Sequence, residues 1–518
     1  MCVFGPGFGG VTERSFMHLK SIEFENMPQL VEWAGEPNSQ LFPRLESIKF
    51  RDCPFLRSFP FLEFSDRFTN LCTLAVGNCP ELSQFPLMPH TAKLRYIRVQ
   101  SDGSKLSYDG KELKIEGYSR ALAFHTMDKV ERVEIRNVTH ITFSDLQKLN
   151  SLRSIIFVRC DNIFSAELDD SVVLYSVHKL FIEKLGIAGE LFSKVLKRFP
   201  ALSHLTIHQC ENLELLPMED GGLSDLRMLE SFTGLHCGKL FSRWPMGEVR
   251  AGDHAIKPFP TSVRELAIFL EPSMQSMGLH SNLTSLTRLC LHSCEKLTMG
   301  GFNPLVAVNL KKLSINSSMS VHQEYISIAG DLLTEIARSK LMHEGSFRLE
   351  EFLVDSISAV LTAPVCSHLA ATLHILEFSH DQRTITFTEQ QEQALQLLTS
   401  VRDLQFRHCL NLQSLPRGLG CLSSLKKLTI VGCVKILSLP PKDGFPSSLE
   451  GIYVRNCSPE LTEQAEILEA TTPWFSVDAV VGMEADVRLC TVTCPPRQID
   501  SLVMYSHPQH SLTMCSEH

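Results

Sequence analysis

The sequence predicts an α/β leucine-rich solenoid: a curved horseshoe of stacked short repeats with a parallel β-sheet on its concave face. Three observations predict it. The pattern L-x-x-L-x-L-x-x-C-x-x-L-x-x-L-P recurs along the chain, with Ile, Val or Phe accepted at most Leu positions. The copies are mostly spaced at roughly 22–28 residues, the period of a leucine-rich repeat. Cys53, Cys79, Cys160, Cys210, Cys294, Cys409, Cys433 and Cys457 all fall at its ninth position.

Clear copies begin at Leu45, Leu71, Leu202, Val401 and Leu425. Weaker ones begin at Leu19, Leu94, Val130, Leu152, Val177, Leu226, Val263, Leu286, Leu310, Leu349, Leu373 and Leu449. That makes about seventeen units, and one unit that repeats along the chain escapes the size limit of a single globular core. Within each, the L-x-L centre alternates like a short strand, with apolar residues on one face and polar residues on the other. No unit can bury its apolar face alone, so stability comes from its neighbours. The fourth position, filled by Ile48, Leu74, Leu205, Leu404 and Leu428, should form continuous core. The ninth-position cysteines should point inward beneath the turn. Pro60, Pro86, Pro217, Pro416 and Pro440 remove a backbone donor and end regular structure on the outer side.

Composition bounds what such a solenoid does. The 518 residues are 44% hydrophobic and 21% charged, which suits a packed chain. A net charge of −9 with dispersed Lys and Arg offers no concentrated positive patch for phosphates, so no nucleic acid partner is expected. The opening MCVFGPGFGGVTERSF lacks the basic start and apolar core of a secretory signal, and no apolar run reaches the roughly 20 residues of a membrane span. The chain is expected to be cytoplasmic, with no membrane partner. On that reading the sequons at Asn137, Asn282, Asn316 and Asn456 are chance matches, and the seventeen cysteines are free rather than a disulfide framework.

The repeat loses register at 101–129, 234–262, 317–348 and 379–400. The third break contains ISIAGDLLTEIARSKLMHE and the fourth TEQQEQALQLLTS, both apolar at helical spacing. Residues 1–18, with GPGFGG, read as a flexible arm, 19–470 as the repeat domain, and 471–518 as a non-repeat tail of loose order.

GPGFGG has neither the lysine nor the hydroxyl of a phosphate-cradling loop. There is no G-x-S-x-G elbow, no H-E-x-x-H pair, and no C-x-x-C pair with zinc spacing. The expectation is a non-enzyme with no cofactor and no metal.

The stretch from Thr386 to Cys457, TFTEQQEQALQLLTSVRDLQFRHCLNLQSLPRGLGCLSSLKKLTIVGCVKILSLPPKDGFPSSLEGIYVRNC, closely resembles the last repeats of plant intracellular nucleotide-binding leucine-rich-repeat disease resistance proteins, in particular those of the coiled-coil class. The resemblance extends over about 19–470. It implies a protein partner in defence: a pathogen effector, a guarded host protein, or a receptor's own nucleotide-binding domain. The coiled coil and the nucleotide switch of that family are not in this sequence. Polar strand positions on the concave face would make the contacts: Lys49, Arg51, His208, His292, Gln405, Arg407, Tyr453 and Arg455. Interface anchors are commonly aromatic or Arg, which favours Arg407, Tyr453 and Arg455. Two alternatives stand beside this reading. One is a substrate receptor of a ubiquitin ligase of the F-box type, although its repeats continue after the cysteine differently. The other is a receptor fragment without a function of its own.

Overall fold

Each copy of the repeat places four to six residues in a strand, and the strands stack mostly parallel in a computed structural model. The structure describes residues 2–4, 18–33, 44–57, 70–82, 93, 95–101, 104–117, 124, 127–165, 171–216, 223–244, 257–317, 328–339, 347–471 and 476–480. The chain divides into two compact units, residues 1–230 with 235–244, and residues 231–234 with 245–518. Both are α/β, strand-rich with few helices.

Unit 1 contains β1 (Cys2–Phe4), β2 (Ser21–Glu25), β3 (Leu30–Trp33), β4 (Ser47–Arg51), β5 (Thr73–Gly77), β6 (Tyr96–Ser101), β7 (Ser104–Tyr108), β8 (Glu112–Glu116), β9 (Arg132–Arg136), β10 (Ser154–Val158), β11 (Lys179–Glu183) and β12 (His204–His208). Its helices are α1 (Phe143–Gln147), α2 (Asp161–Ser165) and α3 (Gly189–Leu196). The second and fourth residues of the repeat strands are buried, as at Ile48 and Phe50 or Leu205 and Ile207, which is what period-two alternation requires of a strand with one covered face. Between β6 and β9 the break at 101–129 holds two further strands. β7 runs antiparallel to both β6 and β8, and β8 returns parallel to β9. The β7–β8 turn is made by Asp109, whose Oδ1 accepts from the N–H of Lys111 and of Glu112, and by Gly110 at φ 97°. At the chain start, β1 pairs with β3.

Unit 2 holds most of β13 (Ser231–Leu235), then β14 (Glu265–Phe269), β15 (Arg288–His292), β16 (Lys312–Asn316), β17 (Glu351–Val354), β18 (Ile375–Ser379), β19 (Asp403–Arg407), β20 (Lys427–Val431), β21 (Gly451–Arg455) and β22 (Ser476–Val480). Its helices are α4 (Ala329–Arg338), α5 (Ile357–Val360), α6 (Ala363–Leu369), α7 (Glu389–Gln396) and α8 (Pro459–Thr471). The helical spacing in the third and fourth breaks corresponds to α4 and α7. Thr388 caps α7 by accepting from the Gln391 N–H, while Gln391 accepts from the Thr388 N–H, so two orphan donors are satisfied at once. β22 pairs in register with β21, so the sheet continues past residue 470, where the repeat reading stops. Residues 5–10 and 481–518, and Pro60, Pro86 and Pro217, lie outside the described residues.

One copy is corrected. The unit placed at Leu226 starts at Leu229, because β13 covers Ser231–Leu235 and the fully buried Leu229 takes the first apolar position. That register puts Cys237 at the ninth place.

The strand exit is the most regular feature of the chain. The residue after the strand has positive φ at Asn26, Asp52, Asn78, Asn137, Arg159, Lys184, Gln209 and His236 in unit 1, and at Leu270, Ser293, His380, His408 and Asn456 in unit 2. A left-handed conformation costs roughly 1–2 kcal/mol for such residues. The cost is offset where the N–H then bonds the final carbonyl of the next strand: Asp52 to Gly77 at 3.2 Å, Asn137 to Val158 at 3.0 Å, His380 to Arg407 at 2.8 Å. The ninth-position cysteine follows directly and is buried at Cys53, Cys160, Cys210, Cys409 and Cys433. Its thiol donates to carbonyls at the turn, as Cys160 does to Ile135 at 3.3 Å and Val158 at 3.2 Å. The residue is therefore small, apolar and a donor where two carbonyls need one.

Candidate protein-recognition face

Alternation leaves the first, third and fifth residues of the repeat strands facing away from the core, and in-register pairing lines them up in three rows within each unit. Neighbours within a row stand about 4.8 Å apart, so the rows present an evenly spaced array of side chains.

In unit 1 several outward residues pair by charge. Lys49 Nζ lies 3.4 Å from Glu23, and Arg51 lies 3.4 Å from Glu25 one strand earlier. Arg132 meets Glu112 at 3.4 Å, and Arg136 meets Glu134 at 2.5 Å. Lys49 is thus half-buried and Arg51 exposed, both paired, and such surface pairs add at most about 1 kcal/mol each. His208 departs from the expected solvent-facing position. It occupies the outward fifth place of β12 yet is 1% exposed, set edge-on to Phe181 at 6.2 Å with Nδ1 3.9 Å from Glu183. Burial raises the Glu183 pKa, but His208, Lys184 and Arg136 outweigh it and hold the carboxyl below the usual range. His208 is a structural residue of the sheet face rather than a free contact.

Unit 2 carries the denser constellation. Arg407 donates from Nε to Gln405 Oε1 at 3.0 Å and lies 3.4 Å from Glu377, while Gln405 donates to Asp403 at 2.9 Å. Arg407 is half-buried and held in one orientation, which lowers the entropy lost when a partner engages it. The register aligns Gln405, Thr429 and Tyr453 in one row, and Arg407, Val431 and Arg455 in the next. Four expected residues, Gln405, Arg407, Tyr453 and Arg455, therefore share one patch across β19–β21. His292 stands on β15 of the same sheet.

Around His292 the structure adds residues that the repeat pattern did not single out. His292 Nε2 is 2.6 Å from Ser314 Oγ, and its ring packs edge-on against Phe269 at 5.0 Å. His380 contacts Ser379 Oγ at 2.9 Å, Asn316 Nδ2 at 3.3 Å across β17, and the His408 ring in a stack at 5.0 Å. The crossing coincides with an irregular unit, since Asp355 is buried and accepts from the Ser317 N–H. Burial, then His380 and Arg288, push His292 down to about 4; burial and His408 do the same to His380. Both imidazoles are neutral at pH 7 and serve as hydrogen-bonding groups rather than cations. His380 and His408 sit at the left-handed strand exit, where His is among the more tolerated residues, and that was their one sequence signal.

Gly432 makes the stack possible. It has φ 65°, and a Cβ there would fall 2.4 Å from His408 Nδ1. Gly432→Ala is expected to destabilise unit 2 by at least about 1–2 kcal/mol, read as a lower urea midpoint at unchanged slope.

Among the described residues, no three His, Cys, Asp or Glu side chains gather to hold a metal ion, and no helix is long and apolar enough to cross a membrane. No family model matches the chain, and no curated protein matches it.

Proposed function

We propose that the chain is a protein-recognition module: a leucine-rich-repeat horseshoe whose strand rows lie on the concave face, of the kind carried by plant intracellular immune receptors. On this reading it acts in defence, in the cytoplasm, by engaging a pathogen effector, a guarded host protein or a receptor's nucleotide-binding domain. The observation that carries the reading is the patch across β19–β21. There a guanidinium fixed by Gln405 and Glu377 shares its row with Arg455, with Tyr453 in the neighbouring row, the residue types that anchor protein interfaces. The repeat pattern and the resemblance over Thr386–Cys457 supply the biological class.

The test is native recovery of the full chain from plant leaf tissue, with bound proteins identified by mass spectrometry beside an Arg407→Ala, Tyr453→Ala, Arg455→Ala variant. Hot-spot truncations of about 2 kcal/mol or more each would reduce recovery of a specific partner beyond detection. A partner retained undiminished by the folded variant would remove this patch from the interface.

A further inference from the structure

Twelve large apolar side chains are exposed among the described residues, and most stand singly, which is ordinary for a protein surface. Five do not. Ile385, Leu410, Val434, Leu437 and Ile467 fall on one flank of the last repeats, in the segments just beyond the strand exits of β18–β21. Leu410 and Val434 each follow a ninth-position cysteine, one repeat apart. The Gln413 N–H donates to the Ile385 carbonyl at 2.9 Å, and Leu437 takes the place of Gln413 one repeat later. Gln464 of α8 continues that row, accepting from the Leu439 N–H at 2.9 Å and donating to the Leu437 carbonyl at 3.3 Å. Ile467 lies one turn along α8 from Gln464 and shares its face. Leu437 is 55% exposed and Ile467 56%.

The charge of this flank comes from α8. Its sequence PELTEQAEILEAT carries no Lys or Arg, and Glu460, Glu463 and Glu466 are exposed with no partner among the described residues. Lys435, on the preceding repeat, is directed the other way, to Asn411 Oδ1 at 2.7 Å.

We propose that this flank docks a basic amphipathic helix of a partner protein, on a surface separate from the strand rows. The apolar side of that helix rests on Val434, Leu437 and Ile467, and its Lys or Arg side chains meet the α8 carboxylates. An extended segment has no ladder to join, because the N–H groups of Gln413 and Leu439 are already bonded between repeats. A helix arrives with its own backbone satisfied and offers side chains alone. The unpaired carboxylates turn away anionic lipid and nucleic acid, which leaves a cationic protein segment as the occupant.

The probe is a fluorescein-labelled synthetic peptide of about 18 residues, with Leu at helical spacing on one face and Lys on the other. Anisotropy follows its titration with the native full chain. One control peptide carries Glu in place of Lys, and another scrambles the same composition so that Leu is spread around the helix. Leu437→Ser with Ile467→Ser should weaken binding of the Lys peptide about ten-fold. Glu460→Gln with Glu463→Gln and Glu466→Gln should weaken it to a similar degree, about ten-fold, and flatten its dependence on NaCl. Glu190→Gln with Glu211→Gln and Glu230→Gln removes the same charge from exposed positions of unit 1 and should leave binding unchanged. No binding of the Lys peptide, equal binding of either control peptide, or equal loss in the unit 1 variant overturns the proposal. So does binding that both unit 2 variants retain in full. All the substituted side chains are exposed, and either unit 2 variant decides the matter if the other fails to fold. The patch across β19–β21 has no part in this readout, so the two surfaces stand or fall separately.

Discussion

Phe143→Ala is expected to lower the stability of unit 1 by about 3–5 kcal/mol, the cost of deleting a buried aromatic side chain and leaving its cavity. Phe143 enters the core from the first residue of α1, held there by the Thr142–Asp145 capping box. Its ring centroid lies 6.1 Å from Phe157, 5.7 Å from Phe164 and 6.0 Å from Phe199, all near edge-on, and the Arg198 guanidinium stands 5.6 Å from its centre. These rings come from β10, α2 and the segment after α3, so one side chain ties consecutive repeats together. The alanine variant loses the contacts on every side at once, and the small return helices cannot collapse inward without breaking the strand register. Phe143→Leu keeps most of the volume and should cost less than the alanine change by about half. Urea unfolding followed by far-ultraviolet circular dichroism measures both. A loss below about 1 kcal/mol for the alanine variant would show that the cluster relaxes, contrary to the packing described.

Acidification should weaken unit 2, with His280 carrying a separable share. His280 is 0% exposed at the end of the turn Met277–His280, and neither ring nitrogen has a hydrogen-bond partner among the described residues. Burial, then the neighbouring Lys257, push it down to about 4. Lys257 donates to the Gly278 carbonyl at 3.1 Å and is itself lowered by burial. The folded state therefore binds the His280 proton more weakly than the unfolded state does. The stabilising contribution is present in full above the unfolded value near 6.5 and is lost as pH falls from there toward about 4. Between pH 7.5 and pH 5 it amounts to about 2 kcal/mol. His280→Leu keeps an apolar side chain in the site and removes both unpartnered nitrogens, so its stability should fall less over that interval by about the same amount. Denaturant midpoints of the two proteins at both pH values decide the point. An equally steep loss in the leucine variant would place the acid sensitivity elsewhere, with His292 and His380, each also near 4, as the groups to examine next.

The strands were legible wherever both apolar positions carried a large side chain, as at Ile48 with Phe50 or Leu404 with Phe406. They were missed where one did not. Gly234 stands where β13 should show its second apolar residue, so the pattern slid back to the Leu226–Leu229 pair. The β7–β8 hairpin carried its own signal, alternating residues around Asp109-Gly110, but its antiparallel direction lay outside the repeat. Parity alone turns Arg407 and Tyr453, the fifth and third residues of their strands, away from the core. Burial does not follow from parity, because it depends on what stands in the adjacent strands. His208 has the parity of an exposed residue, and only the neighbouring Phe181 and Glu183 reveal that it is enclosed.

The strand exits separate what in this chain is fixed from what is free to vary. From the first strand residue to the buried cysteine the count never changes in the regular units, because the left-handed residue must meet a particular carbonyl next door. Beyond the cysteine the backbone bonds between repeats follow no single pattern, running from the Arg57 N–H to Val31 in one place and from the Leu215 N–H to Leu240 in another. The stretch from Arg132 to Ser154 is far shorter than that from Lys312 to Glu351, yet both pairs of strands stay in register. Residues can therefore be gained or lost on the return side, as the insertion bearing α4 shows, without displacing a single side chain in the rows of Gln405 and Arg407. One edge of the molecule can drift in length over generations while the other keeps its reading frame.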